Sequence, residues 1–598
     1  MSVYESAKQN LIVIVPAYEP PAEFVDYAKE IAGYAKRLVV VNDGSKSDFD
    51  PVFEEIARIS NVDYLYYGEN HGKGYALKFA FKHCIENFSS DDIIVTADCD
   101  GQHKVKDVMG VYRAVLGRSD ALILGSRDFN EKNVPPRSRF GNTFTRRLYK
   151  ILYGIKLYDT QTGLRGFTVE LAKSFVRVKG DRFEYELGQL IWSKKHGVRI
   201  LETPIETVYP EDPVDHVSHF RTIRDSMRVM GVMLSNLGWY LCSSVLSAVV
   251  DVGVFFVLST IIFSGGLWYE ILIATVGARI ISSIVNFIFN YKYVFSGAGR
   301  GALLRYYILW SCQLGASYGI ASIFSKLLGL SGIALTLAKG AGDLLLALLS
   351  YQIQQYWVFG KKNKTKFWSA RVRFSKAILT FFSKEYRCNC LPPKAPCVYV
   401  ARHLDLRGPL TTIKWLDFDF HPMVFSVFFT KKDCYDQYAN YTFTKRRGKK
   451  NKGFNLKAYI ASRAVVPLVH GIEAVPVYRD RNAIKTFRRA FEYLLRGESV
   501  IVYPDIEYTA PSSKMSEIYD GFLYLGEYYK KKTGKSLPFI PLYINDEKLS
   551  VDECDPVYAD SFARDKAEAK EKIKLAINGI KSSDIDDGAQ SAQKPMQP

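Results

Sequence analysis

The chain has 598 residues, 80 Lys and Arg against 62 Asp and Glu, a formal net charge of +18, and 48% hydrophobic residues. That length exceeds what one hydrophobic core serves and predicts about three folding units. The basic residues crowd beside apolar stretches, as in Gly360–Lys366 and Arg371–Lys384. Anionic lipid headgroups are therefore the expected partner, and no nucleic acid is. Nine scattered Cys lack zinc-ligand spacing, and the N-terminus has no signal-peptide pattern; both point to reduced thiols in cytoplasmic domains.

Residues 1–225 alternate short Val/Ile-rich runs (Leu11–Val15, Leu38–Val41, Ile93–Ala97, Ala121–Gly125) with amphipathic segments such as Ala22–Ala35 and Gly74–Asn87. This pattern predicts a mostly parallel sheet flanked by helices, with its site at the C-terminal strand ends. The polar residues gather there. Pro16, Tyr18 and Glu19 follow the first run, and Asp43 and Gly44 end the second. Asn70-His71-Gly72-Lys73-Gly74 opens a helix, where Lys73 and backbone N–H groups suit a phosphate. After the third run comes Asp98-Cys99-Asp100-Gly101-Gln102-His103. In an extended segment Asp98 and Asp100 would face one point, with Gln102 next in line, as hard oxygen ligands for Mg2+ or Mn2+.

These motifs, with Gly125-Ser126-Arg127, Arg137/Arg139 with Asn142, Asp159 to Phe167, Arg182 to Glu186 and Glu202 to Ile205, resemble the family 2 glycosyltransferases of GT-A (Rossmann-like) fold, in their polyprenyl-phosphate hexose synthase branch. The resemblance implies an α/β catalytic domain that uses a nucleotide-sugar donor and a polyprenyl-phosphate acceptor. It implies Asp98, Asp100 and Gln102 at a metal and the donor diphosphate, and Pro16, Tyr18, Glu19 and Asp43 around the nucleoside. Arg127 and Arg139 would hold the acceptor phosphate. A phosphate monoester is largely dianionic at neutral pH, so its oxygen needs no strong general base. A single displacement would invert the anomeric centre. Ser218–Asp225 resembles the end of this domain in the same family, where the chain meets the membrane.

Residues 226–362 are mostly apolar, with stretches Leu237–Phe263, Leu272–Phe295, Leu303–Leu327 and Gly332–Val358 that predict an α-helical four-span membrane domain. Basic flanks before the first, between the second and third, and after the fourth stretch predict both soluble domains on the cytoplasmic side, in the inner membrane if the source is bacterial. The related endings Asn286–Phe295 and Ser350–Phe359 indicate a duplicated helix pair and resemble the GtrA-like membrane family. Asp251, Arg279, Lys339 and Asp343 lie inside apolar stretches, where a lone charge is costly and either pairing or a lipid-phosphate path is expected. Four-helix packing between chains makes a homo-oligomer another conceivable partner.

Residues 363–396 predict a basic amphipathic linker, 397–581 a second α/β domain, and 582–598 a disordered tail. Val398–Leu410, with His403 after an apolar strand, together with Val475–Arg479, Val500–Asp505 and Leu537–Leu542, resembles the glycerolipid acyltransferase (PlsC-like) fold. There His403 would be the base, with a carboxylate orienting it. The family's Asp position is Gly408 here, while Asp405 comes early and is the substitute if the loop bends. Pro504-Asp505-Ile506-Glu507-Tyr508 lacks the family's Gly and Arg. The basic loop Lys445–Lys452 is expected at membrane phosphate or in water. Three functions remain in view: the hexosyltransferase, a bifunctional glycolipid enzyme that also transfers acyl groups, and a lipid-translocating membrane protein.

Overall fold

The computed structural model describes residues 3–129, 131, 134–206, 222–262, 268–295, 301–326, 329, 332–359, 368–369, 372, 375–376, 380, 383–404, 407–442, 453–478, 480–506 and 517–580. Asp405, Glu507, Tyr508, residues 218–221 of Ser218–Asp225, Gly360–Lys366, the loop Lys445–Lys452 and the tail 582–598 fall outside them, as does the side chain of Arg137. The chain divides into two compact units, Met1–Lys362 and Asn363–Pro598.

The first unit opens with a seven-stranded sheet of β1 (Leu11–Ala17), β2 (Arg37–Asp43), β3 (Val62–Tyr67), β4 (Ile93–Thr96), β5 (Ala121–Ser126), β6 (Arg165–Thr168) and β7 (Arg199–Pro204), in the order β3-β2-β1-β4-β6-β5-β7. All neighbours are parallel except β6, which runs antiparallel to both β4 and β5. Strands β1, β4 and β5 are buried along their whole length, which is why they read as unbroken Val/Ile/Leu runs. Helices Lys73–Asn87 and Glu184–His196 cover one face, packing Leu77, Phe81, Tyr185 and Leu190 onto Ile12, Val39 and Leu122.

That core runs on into the helical region. Met233, Tyr240, Val294 and Tyr351 belong to the same buried cluster. The link is polar as well, because Tyr153 Oη donates to the Met233 carbonyl (2.7 Å) and Tyr351 Oη to the Leu152 carbonyl (3.2 Å). Helix Pro136–Tyr153 of the catalytic domain is thereby fixed to the helices that follow.

Those helices are Thr222–Val257, Trp268–Phe289, Ala302–Lys326 and Gly332–Ile353. Among the described residues three helical stretches are long and apolar enough to cross a bilayer: Arg224–Ile262, Tyr269–Val294 and Gly332–Ile353. Where a third span was expected over Leu303–Leu327, a helix forms over Ala302–Lys326. Its Tyr, Ser, Gln and Gly residues leave it short of that apolarity. The in-span charges are paired, Arg279 with Asp251 at 3.6 Å and Lys339 with Asp343 at 2.6 Å, while Ser317 also donates to Asp343 (2.6 Å). The two related endings both finish in a wide helical turn, Asn290–Val294 and Gln354–Val358, and the turns meet. Asn290 Nδ2 donates to Gln354 Oε1 (3.4 Å), and Phe295 stacks on Phe359 at 4.7 Å. Tyr306 Oη donates to Asn286 Oδ1 (2.9 Å), and Gln354 Nε2 to Tyr240 Oη (3.3 Å).

The second unit carries β8 (Arg387–Asn389), β9 (Val398–Ala401), β10 (His421–Phe425), β11 (Val475–Val477), β12 (Val500–Val502), β13 (Pro538–Asn545), β14 (Ser550–Glu553) and β15 (Val557–Tyr558). Their order is β11-β10-β12-β9-β13-β14-β8, with β15 on β13. The core starts upstream of residue 397. Trp368 is buried against Phe420 and donates its indole N–H to the Phe420 carbonyl (3.0 Å), and β8 pairs with β14. An indole this large gains more from a core than from a membrane surface, so the described part of the expected linker belongs to the folded unit.

Candidate active site

Because β2, β1 and β4 are adjacent and parallel, their C-terminal ends share one edge, which brings Pro16, Asp43 and Asp98 to the same rim. Strand β4 stops at Thr96, whose hydroxyl donates to the Gly163 carbonyl (2.7 Å). The residues beyond it are not extended, as alternation would require. The Asp98 N–H donates to His103 Nδ1 (3.1 Å) and the Gln102 N–H to Asp100 Oδ1 (3.1 Å), which folds 98–103 into a turn. Local side-chain hydrogen bonds of this kind compete with strand geometry, and here they win.

Asp98 is the centre of the charged cluster. Lys73 Nζ lies 2.7 Å from Asp98 Oδ1 and 2.9 Å from Glu186 Oε1, and Glu186 is itself buried. Burial pushes the Asp98 carboxyl up, but Lys73, His103 and Arg127 outweigh it and hold the carboxyl down at about 2. Burial lowers the Lys73 ammonium, yet Asp98 and Glu186 together carry it above its ordinary value. The pair is therefore ionised at neutral pH. Gly163 stands against it: a Cβ there would lie 2.6 Å from Lys73 Nζ and 2.7 Å from both Asp98 oxygens. Glu186 and Gly163 sit within the quoted motifs, but sequence reasoning gave them no role. The signal available was an acidic residue on a helix whose neighbours Tyr185 and Leu187 are core residues.

His103 is buried, and burial depresses its imidazole to about 4 even though Asp98 pulls the other way. Its Nδ1 accepts the Asp98 N–H, which requires the neutral ring. A depressed histidine contributes stability above its unfolded value of about 6.5 that is lost as pH falls through about 4. The melting temperature of the first unit is expected to drop over that window, and His103→Asn should flatten the slope. An unchanged slope in the variant would remove His103 as the cause.

Asp43 is buried and saturated by the loop after β3. Its Oδ1 accepts from Tyr67 Oη (2.9 Å) and the His71 N–H (3.0 Å), and its Oδ2 from the Gly72 N–H (3.0 Å) and Asn70 Nδ2 (3.2 Å). Burial raises its carboxyl above the ordinary value against the pull of these bonds. Here Asp43 holds the loop that carries Lys73. Asp43→Ala would orphan the buried Gly72 N–H and release the His71 N–H and Tyr67 Oη, and is expected to cost about 2 kcal/mol in a denaturant titration. Beside it Glu19 pairs with Lys46 (3.0 Å) and takes a backbone φ of 47°, with its N–H on Ser45 Oγ (2.9 Å). Pro16 is buried and Tyr18 half-buried.

The two arginines meet one loop. Arg127 Nε donates to the fully buried Asp159 (2.7 Å), which Glu202 fixes by accepting the Tyr158 and Asp159 N–H groups (2.8 and 3.0 Å). Arg139 reaches back from its helix to the carbonyls of Phe129 (2.9 Å) and Glu131 (2.8 Å). The Arg127 guanidinium lies 5.1 Å from the centre of the Phe129 ring.

Among the described residues no three His, Cys, Asp or Glu side chains form a closed metal cage. Two carboxylates at a strand end nevertheless suit a hard cation that completes its shell with water and diphosphate oxygens. Asp98 and Asp100 fit that donor chemistry, with Lys73 already on Asp98 as a competing cation.

In the second unit His403 follows β9, and its backbone N–H donates to the buried Asp505 (2.8 Å), which follows β12. Tyr503 sets its ring edge-on to His403 at 6.0 Å and shares a hydrogen bond with Thr412 (2.7 Å). At Gly408 a Cβ would come 1.7 Å from the Arg402 carbonyl oxygen, so backbone fills the place where a carboxylate was sought.

Residues 12–175 match the glycosyl transferase family 2, and residues 239–359 the GtrA/DPMS transmembrane domain. The chain is 36% identical over 215 residues to uncharacterized protein MJ1222 of Methanocaldococcus jannaschii, covering 35% of this chain and 86% of that protein. It is 28% identical over 223 residues to the UDP-N-acetylglucosamine–dolichyl-phosphate N-acetylglucosaminyltransferase of Methanococcus voltae, covering 34% and 88%. Among solved structures, glucosyl-3-phosphoglycerate synthase of Mycobacterium tuberculosis is 18% identical with a TM-score of 0.31, over 39% of this chain and 84% of that one. With its strand-end carboxylates and a membrane domain docked onto the same core, the chain belongs to the family 2 glycosyltransferases, in a form joined to a GtrA/DPMS transmembrane domain.

Proposed function

We propose that the first unit is an inverting hexosyltransferase that moves a hexose from a nucleotide-sugar to a membrane polyprenyl phosphate on the cytoplasmic face. The observation that carries this reading is the docking of helix Pro136–Tyr153 onto the membrane helices, which ties the domain with the Asp98 cluster to the bilayer. The same helix leaves Phe140 and Phe144 74% and 48% exposed beside Arg139, Arg146 and Arg147, an amphipathic face suited to a lipid with an anionic head. The named relative from Methanococcus voltae uses dolichyl phosphate, the same acceptor chemistry.

Pro16, Tyr18 and Glu19 border the nucleoside, with Asp43 acting through the loop it braces. Asp98, Asp100 and Gln102 would hold Mg2+ or Mn2+, which would supply positive charge for the departing diphosphate. Lys73 adds a buried cation beside it. Arg127 and Arg139 position the acceptor phosphate, whose dianionic oxygen attacks in line without a strong base. Helix Ala302–Lys326 serves as a fourth span, shielded by its neighbours. The second unit takes an acyltransferase-like fold that binds lipid rather than transferring acyl groups, since position 408 admits no orienting carboxylate. Acyl-thioester consumption dependent on His403 would reverse that assignment.

The test is transfer of labelled sugar from a panel of UDP- and GDP-sugars to short-chain polyprenyl phosphate, with magnesium or manganese and with chelator. Lipid-linked product lost on chelation supports the reading and identifies the donor. No product from any donor, with nucleotide binding intact, sinks the lipid-phosphate acceptor.

A further inference from the structure

Helix Gly453–Gly471 of the second unit has two different sides. Ala458, Ser462, Val466 and Val469 are buried against the unit, as its core requires. On the other side Leu456, Tyr459 and Ile460 are 64%, 50% and 59% exposed, one turn apart on a single stripe. Lys457 and Arg463 flank that stripe, and the Arg463 guanidinium lies 4.9 Å from the centre of the Tyr459 ring. Tyr441, 54% exposed, ends the segment that packs against this helix. The helix has no acidic residue, and the sequence just before it, Lys445–Lys452, has six basic residues and no acidic one. Along this helix the charged neighbours of the three large apolar side chains are cations, and among the described residues none of the three side chains joins a buried cluster.

We infer that this stripe docks the second unit onto an anionic bilayer surface. The occupant follows from the chemistry. An apolar stripe rimmed by Lys and Arg matches the boundary between acyl chains and anionic headgroups, where apolar burial and attraction to the headgroups act together. A protein partner would need acidic complementarity and a larger apolar area. Connectivity strengthens the case, because the unit begins at Asn363, directly after a helical region that ends at Phe359. A unit joined by the chain to such a region experiences a raised effective lipid concentration, so a patch too weak to bind alone is sufficient. The inference does not depend on the transfer reaction and survives if that reading fails.

The test uses the full chain in nanodiscs, with the fluorophore NBD attached at Ile460→Cys in a Cys242→Ser, Cys312→Ser background, and doxyl-labelled lipid as quencher. The unlabelled-position background corrects for the remaining thiols. With phosphatidylglycerol present, quenching by about twofold or more is expected, and Lys457→Glu with Arg463→Glu should remove it. All five substituted sites are exposed, so folding is preserved and circular dichroism checks it. Equal emission with and without the quencher overturns the inference. So does quenching indifferent to anionic lipid and to charge reversal, or shielding of the label in detergent accompanied by a doubled mass, which would make a second copy the occupant.

Discussion

Asp98→Ala is expected to lower the turnover of sugar transfer by about 10³-fold, and Gly163→Ala by about 10²-fold, while the melting temperature of the first unit barely moves. The two substitutions attack one arrangement from opposite sides. The first deletes the carboxylate that pairs with Lys73. The second adds a methyl group 2.6 Å from the Lys73 ammonium and 2.7 Å from both Asp98 oxygens. All three of those atoms are ends of side chains, so they give way before the backbone does. The geometry of the pair is lost and the sheet is kept. Turnover and thermal unfolding measured on the same preparations separate these effects. A fully active Gly163→Ala protein would mean that the Lys73–Asp98 contact lies off the reaction path.

Gly408→Asp, which places a carboxylate five residues after His403, is expected to unfold the second unit. The new Cβ would lie 1.7 Å from a backbone oxygen of Arg402 and 3.1 Å from that of His403. Backbone cannot swing aside as a lysine tip can, and an overpacked site of this kind costs about 3 kcal/mol or more. Limited proteolysis should cut residues 363–580 faster in the variant. A stable variant that consumes acyl thioester would show that the loop after β9 has a second conformation.

Much of this was legible beforehand, for identifiable reasons. Strands β1, β2, β4 and β5 are buried on both faces and therefore announce themselves as apolar runs. Strand β3 alternates half-buried and exposed residues and was missed, as was β6, whose four residues include Gly166 and the buried Arg165. The site rim was readable because it lies at strand ends. Its internal wiring was not. That Asp43 is consumed by loop N–H groups, that 98–103 is a turn, and that Glu186 shares Lys73 with Asp98 are contacts between segments distant in sequence, which spacing cannot reveal. The span count suffered from the opposite problem. Ala302–Lys326 is a helix of the right length, but its Tyr, Ser, Gln and Gly residues lower its apolarity, and Tyr306, Gln313 and Ser317 hydrogen-bond to neighbouring helices.

The meeting of the two wide turns in the membrane region has a consequence of its own. Asn290 and Gln354 occupy matching places in the two related endings, as do Phe295 and Phe359, and in each case the residue touches its own counterpart. Only positions on a twofold axis do this, and in a homodimer they would be the residues that meet themselves. The region is thus built like a symmetric dimer of helix hairpins made continuous in one chain. Continuity frees each half to change alone. Arg279 and Asp343 stand equally far before Asn290 and Gln354, yet one is a cation paired with Asp251 and the other an anion held by Ser317 and Lys339. A backbone with two equivalent sides has become a scaffold whose matching positions carry opposite charges, each neutralised by a partner within its own half.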